Sequence, residues 1–136
     1  MIVIDTSAWI EYLRAAGTPA AAEVRRILTD RAEDVAMCEP VAMEILAGAG
    51  DDVVVAKLER LVNGLPSLSF DAAVDFRAAA QIYRAGRRRG KSIRSMTDCL
   101  IAAVAIRHDA TVVHQDSDFD VIAEMTTLDT ARADGR

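Results

Sequence analysis

Aromatic residues are scarce in this chain: one Trp, two Tyr and three Phe make up 4% of 136 residues, although 51% are hydrophobic. A core of ordinary size must therefore be built from Ala, Val, Leu and Ile. Cysteine is limited to Cys38 and Cys99, each inside an apolar run. Two such residues exclude a disulfide framework and fit buried thiols in a reducing compartment, so the expected location is cytoplasmic. No stretch approaches the ~20 apolar residues of a membrane span, and the N-terminus lacks the basic region and apolar stretch of a secretory signal. No repeat, linker or low-complexity segment interrupts the chain. One domain over residues 1–136 is expected, with about 127–136 as a last short strand and a frayed tail. A domain of that length buries roughly two-thirds of its unfolded surface. Positive charge is also short: 16 Lys and Arg stand against 21 Asp and Glu, a net charge of −5. The whole molecule repels a polyanion, so a nucleic-acid role requires a local basic patch or a metal ion.

What is present is an alternation of short apolar runs and helical patterns. IVI (2–4) reads as a buried strand, and residues 7–14 as a short helix with Trp9, Ile10 and Leu13 on one face. Pro19 opens a helix to about Asp30. VAMC (35–38) is a second strand, followed by a helix from Pro40 that Gly48 and Gly50 close. Further helices are predicted over about 52–63, from Asp71 to about Arg89, and from Asp98 to His108. LSF (68–70) reads as strand or connection. TVVH (111–114) is a strand, QDSDFD (115–120) an acidic turn, VIAEM (121–125) a short helix and TLD (127–129) a last strand. Strands alternating with helices predict a three-layer α/β/α sandwich around a mainly parallel sheet, with the site at the carboxyl ends of the strands.

Four carboxylates occupy unusual positions. Asp5 ends the first strand. Glu44 is the only charged residue between Glu39 and Asp51. Asp98 precedes eight residues, Cys99 to Ile106, with no polar side chain except a thiol. Asp116 lies just past TVVH. Taken singly, Asp5 and Asp98 fit helix N-caps, and Asp116 and Asp118 fit an ordinary turn. Glu44 has no such account, because a buried, unpaired carboxylate costs several kcal/mol. If the four converge, their repulsion raises their pKa values unless a cation joins them. Oxygen-only ligation suits Mg²⁺, with Mn²⁺ as a substitute. One use of such a site is to activate water and stabilise phosphodiester oxygens during in-line attack.

The order of these acids, IVIDTSAWIEYL, PVAMEILAG, SMTDCLIAAVA and VVHQDSDFDVIA, resembles the PIN domain, in particular the VapC toxins of VapBC toxin–antitoxin pairs. The resemblance spans about residues 1–125 and matches the family's acids without a gap. It implies a metal-dependent endoribonuclease with Asp5, Glu44, Asp98 and Asp116 as the catalytic and metal-binding acids and Asp118 as a candidate fifth. It also implies a supporting hydroxyl from Thr6 or Ser7, and a structured RNA such as tRNA as substrate. Cleavage would leave a 3′-hydroxyl and a 5′-phosphate. Inhibition by a VapB-type antitoxin and a homodimer follow from the same resemblance. The alanine-rich helix hairpin of about 8–30 is where a groove for an amphipathic partner helix is expected.

RAGRRRGKSIR (84–94) holds six basic residues in eleven positions. A solvated helix end accounts for this run. Its position just before Asp98 suggests instead that Arg87, Arg88, Arg89, Lys91 and Arg94 hold RNA phosphates. His108 and His114 read as structural or surface residues, although His114 lies close enough to Asp116 to touch a substrate. Trp9 reads as a core or dimer contact, with base stacking beside Tyr12 the alternative. A HAD-type phosphatase also begins with a strand ending in Asp, but it needs a second Asp where Ser7 stands. A response-regulator receiver needs an acidic pair and a late lysine that are absent. A non-catalytic PIN-like binding module is the remaining alternative. Metal-dependent RNA cleavage that is lost on Asp5→Asn separates the enzyme from that module.

Overall fold

The computed structural model describes residues 1–136. Its elements run β1 (Ile2–Ile4), α1 (Thr6–Leu13), α2 (Pro19–Asp30), β2 (Val35–Ala36), α3 (Glu39–Ala47), α4 (Asp52–Asn63), α5 (Ala72–Arg88), α6 (Met96–Arg107), β3 (Thr111–His114), α7 (Ser117–Met125) and β4 (Asp129–Arg132). A single 3-10 turn covers Ala32–Asp34 before β2.

The sheet order is β2-β1-β3-β4 and every pairing is parallel. Ile4 aligns with Val113, and the Asp5 N–H donates to the Val113 carbonyl at 2.8 Å. The chain moves from β1 to one edge and returns to the other side of β1 for β3. Right-handed crossovers then place the helices before and after that reversal on opposite faces of the sheet, which gives the three layers. The reversal lies between β1 and β3. In such sheets the crevice for a ligand opens beyond the strand ends at this point.

Core composition follows the shortage of aromatics. Ile2, Val3, Ile4, Val112 and Val113 line the central strands, and Cys99 to Ala105 of α6 are buried except for partly buried Leu100. Trp9 and Phe119 are the largest fully buried side chains. Trp9 is therefore a core residue, edge-on to Tyr12 at 6.0 Å between ring centroids, and unavailable for stacking on a base.

Several boundaries differ from the sequence expectation. The second strand is only Val35–Ala36, because Met37 leaves β1 and makes an isolated bridge to Ser67. LSF (68–70) accordingly forms no strand. The acidic turn is helical from Ser117, since the Asp116 carboxylate caps α7. The last strand lies at 129–132 rather than at TLD. Helix α6 starts at Met96, so Asp98 sits inside its first turn and is not the cap. No helix is long and apolar enough to cross a membrane.

Candidate metal centre

Asp5 follows β1 as the N-cap of α1, with extended backbone at φ −69° and ψ 155°. Its Oδ2 accepts hydrogen bonds from the Ser7 N–H at 3.0 Å and the Ser7 hydroxyl at 2.6 Å. Its Oδ1 is buried with no partner. Ser7 Oγ in turn accepts the Gln115 N–H at 3.1 Å, so one hydroxyl ties the end of β1 to the end of β3. Thr6 serves a different acid: its hydroxyl donates to Glu44 Oε1 at 2.9 Å. Glu44 projects from α3 and is half-buried.

Asp116 caps α7 by accepting the Asp118 N–H on Oδ1 at 2.9 Å. The Asp116 N–H donates to His114 Nδ1 at 3.1 Å, which leaves the ring proton on Nε2, 3.8 Å from Asp120 Oδ1. His114 is fully buried against Phe119 and cannot touch a substrate. It supports Asp116 from behind instead. Burial keeps its imidazole below its ordinary pKa, hence neutral.

Asp98, Asp116 and Asp118 each offer an oxygen within 4.8 Å of the others. Asp118 uses both its oxygens locally, accepting the Arg94 and Ser95 N–H groups at 3.1 Å each. It thereby pins the segment before α6 onto α7. Asp98 and Asp118 also share a hydrogen bond between their carboxyl groups. Burial, that bond, and the charges of Asp5, Asp116 and Asp118 push Asp98 up to about 9. Burial alone would raise Asp118 as well, but the bonds from Asp98, Arg94 and Ser95 hold it below the ordinary range.

Asp5 and Glu44 lie outside this group of three but within reach of its charge. Burial raises Asp5, with partial relief from Ser7, and Asp116 adds repulsion. Burial also raises Glu44, the Thr6 bond offsets part of this, and Asp5 and Asp116 repel it. Three carboxylates, Asp98, Asp116 and Asp118, thus gather at the end of β3, and Asp5 and Glu44 stand close enough to feel the charge of Asp116. Two of their oxygens, Asp5 Oδ1 and Asp98 Oδ2, are buried without any donor. A hard divalent cation fits this donor set: the ligands are all oxygen, and orphaned buried carboxylate oxygens need a positive partner. Cys38 and Cys99 supply no alternative chemistry, because burial pushes both thiols up to about 12.

The basic stretch divides. Arg94 reaches the acids, its guanidinium 3.2 Å from Asp116 Oδ1 and 3.3 Å from Ser117 Oγ. Lys91 pairs with Glu124 of α7 at 2.6 Å, and Arg87 lies over the Tyr83 ring at 5.5 Å. Arg88 lines a cleft between α5, α6 and α7, together with Ile82, Ala103 and Arg107. Arg89 caps α5. Two of the contacts at the site had no signal in the sequence. Gln115, which reaches the Ser7 carbonyl and Glu11 Oε1 at 3.1 and 3.0 Å, could only have been found beside Asp116. The contact of Arg94 with carboxylates 22 and 24 residues away has no local mark at all.

The sequence profile of the PIN domain matches residues 2–125. Ribonuclease VapC11 of Mycobacterium tuberculosis is 66% identical over 131 residues, which cover 96% of this chain and 98% of that protein. Ribonuclease VapC19 of the same species is 35% identical over 116 residues, covering 81% and 84%. Among solved structures, VapBC-1 from nontypeable Haemophilus influenzae superposes with a TM-score of 0.76 over 98% of both chains at 15% identity, a likeness of fold alone. With the acids gathered at the strand ends of the same fold, this chain belongs to the PIN-domain family and, within it, to the VapC ribonucleases.

Proposed function

We propose that this protein is the toxin of a type II toxin–antitoxin pair, a Mg²⁺-dependent endoribonuclease that cuts tRNA or another structured RNA in the cytoplasm, acting as one domain over residues 1–136. Asp5, Asp98 and Asp116, with Glu44 at the edge, would hold the cation, and Mn²⁺ would substitute for it. The cation supplies a water of lowered pKa and charge to offset the phosphodiester oxygens. Asp118 would be a candidate fifth ligand, since each of its oxygens accepts only one backbone N–H and keeps a lone pair. Glu44 Oε1 is occupied by the Thr6 hydroxyl, which leaves Oε2 to accept a proton from a water. Arg94 sets a positive charge at the rim for a backbone phosphate, against the net charge of −5.

The observation that carries this reading is the pair of buried oxygens, Asp5 Oδ1 and Asp98 Oδ2, that have no donor. A carboxylate that served only to cap a helix would not leave a buried oxygen bare. RNA 5′ ends sequenced after expression of the wild type and of Asp5→Asn test it. Discrete new 5′-phosphate ends are expected in the wild type and at least ~100-fold fewer in the variant, more than the 10–100-fold typical of outer-sphere partners. Identical ends in both would leave the non-catalytic binding module as the reading.

VapB-type antitoxin control is supported by a groove that runs up to Glu44, lined by Ile10, Leu13, Ile45, Val54 and Leu58 with Arg14 and Lys57 on its rim. It lies between α1, α3 and α4 rather than within the α1–α2 hairpin. An amphipathic antitoxin helix is the proposed occupant. A homodimer is part of the same proposal.

A further inference from the structure

Arg94 differs from the other arginines in how it is held. Its backbone is fixed twice: neighbouring Ile93 is buried, and its own N–H donates to Asp118 Oδ1 at 3.1 Å. Its side chain is 73% exposed, yet its guanidinium folds back to the carboxylates. The guanidinium lies 3.2 Å from Asp116 Oδ1 and 3.3 Å from Ser117 Oγ through Nη2, with Nε 3.6 Å from Asp118 Oδ1. No other Lys, Arg or His side-chain nitrogen lies within 4.0 Å of a carboxylate oxygen of Asp5, Glu44, Asp98, Asp116 or Asp118.

The grip is loose. Arg107 shows the tight alternative in the same molecule, with two short bonds of 2.8 and 2.7 Å to the two oxygens of buried Asp75. Arg94 makes single, longer contacts from an exposed position, where solvent screening leaves little net attraction. Asp116 Oδ1 already accepts the Asp118 N–H, so Arg94 fills its remaining direction. A cation that reaches this oxygen must displace the guanidinium. One bound through the other oxygen sits beside a like charge.

We infer that Arg94 is a tethered competitor for the metal: its guanidinium neutralises Asp116 and Asp118 in place of the cation and sets how tightly the cation binds. The inference rests on the reading of the acids as a metal centre. It assigns Arg94 a positioning role that acts through Asp116, separate from any contact with RNA.

Calorimetric titration of the whole chain with MnCl₂ tests it, using the wild type, Arg94→Gln, Arg94→Ala, Arg94→Lys and Asp98→Asn. The two neutral variants are expected to bind Mn²⁺ about twofold to fivefold more tightly than the wild type. Arg94→Lys keeps the charge and stays within about twofold of the wild type. The gap between wild type and Arg94→Gln narrows in 0.5 M NaCl, where a Debye length of a few Å screens an exposed charge. Circular dichroism checks that each variant is folded. A folded Arg94→Gln and Arg94→Ala that bind Mn²⁺ as the wild type does, or more weakly, overturn the inference while leaving the metal centre standing. A wild type that takes up no Mn²⁺, or an Asp98→Asn variant with an unchanged titration, overturns the metal reading and this inference together.

Discussion

Two adjacent hydroxyls do different work at the mouth of the site. Ser7 fixes Asp5 and the start of the segment after β3, while Thr6 fixes Glu44 on α3. In the sequence the two are indistinguishable, since DTS reads as a cap followed by two small polar residues. The difference arises because α1 starts at Thr6 and turns each successive side chain by 100°, so Thr6 faces α3 and Ser7 faces β3. Thr6→Val keeps the shape and removes the donor to Glu44 Oε1. A fall of about tenfold in Mn²⁺ affinity and in RNA cleavage is expected, within the range for partners that orient a ligand, and Thr6→Ser restores both. Calorimetry and an RNA cleavage assay measure the two effects. Unchanged values in folded Thr6→Val would remove Glu44 from the site. Asp118 carries the complementary lesson. D-x-D-F suggests a ligand, and the backbone N–H groups of Arg94 and Ser95, more than twenty residues away, give the same carboxylate a second task, pinning the segment before α6.

At the scale of elements, the segment between α5 and α6 determines where Asp98, Arg94 and Asp118 meet. Gly90 turns the chain with φ +69°, a left-handed conformation that suits glycine. Gly86 lets the returning segment lie directly on α5: a Cβ there would meet the Lys91 carbonyl oxygen at 2.8 Å and Ile93 Cδ1 at 3.2 Å. Gly86→Ala therefore pushes the segment off α5 and is expected to destabilise the fold by about 1–3 kcal/mol, read as a lower thermal midpoint. An unchanged midpoint would mean that the segment is not seated as described. Behind it, Arg107 of α6 clamps buried Asp75 of α5 and the Ser69 carbonyl. The Arg107 bonds hold Asp75 below the ordinary range, although burial opposes this. Its contribution is thus present above the unfolded pKa near 3.8 and is lost as pH falls through the lower folded value. Arg107→Met leaves a buried charge without its partner and is expected to cost about 2–4 kcal/mol at pH 7, with the deficit shrinking below pH 4. Urea unfolding of both proteins at pH 7 and pH 3.5 measures it.

At the scale of the whole molecule, clustering acids at one end of the sheet trades stability for function. Asp98, raised by burial to about 9 from 3.8, binds a proton in the folded state that the unfolded chain releases. Its penalty therefore grows as pH rises from about 4 toward 9. Asp98→Asn keeps the shape and a donor to Asp118. In a chelating buffer its thermal midpoint is expected to exceed that of the wild type at pH 8, with the gain fading toward pH 4. The wild-type difference isolates this group from His114, whose lowered pKa acts the opposite way as pH falls below 6.5. Mn²⁺ reverses the order, since a ligand at 100 times its Kd stabilises only the binding-competent wild type by about 2.7 kcal/mol. Equal midpoints at both pH values would mean that Asp98 is not buried among like charges.

The sequence by itself determined the α/β class, the buried parallel strands and which acids stand out. Those properties are written in local pattern: apolar runs of strand and helix length, and carboxylates such as Glu44 with no polar neighbours. The four acids in order along the chain also sufficed to point to the family. Only the tertiary structure decided that Asp116 caps a helix rather than lying in a turn and that Asp98 sits within the first turn of α6. It also decided that His114 is a buried support, and that one arginine of the basic stretch meets the carboxylates. The physical reason is that burial and the contacts of Arg94 and Gln115 depend on residues 22 to 108 positions apart, while the short bonds of His114 and Asp116 form only once β3 is packed. Their partners are chosen by how β1 and β3 come to lie side by side.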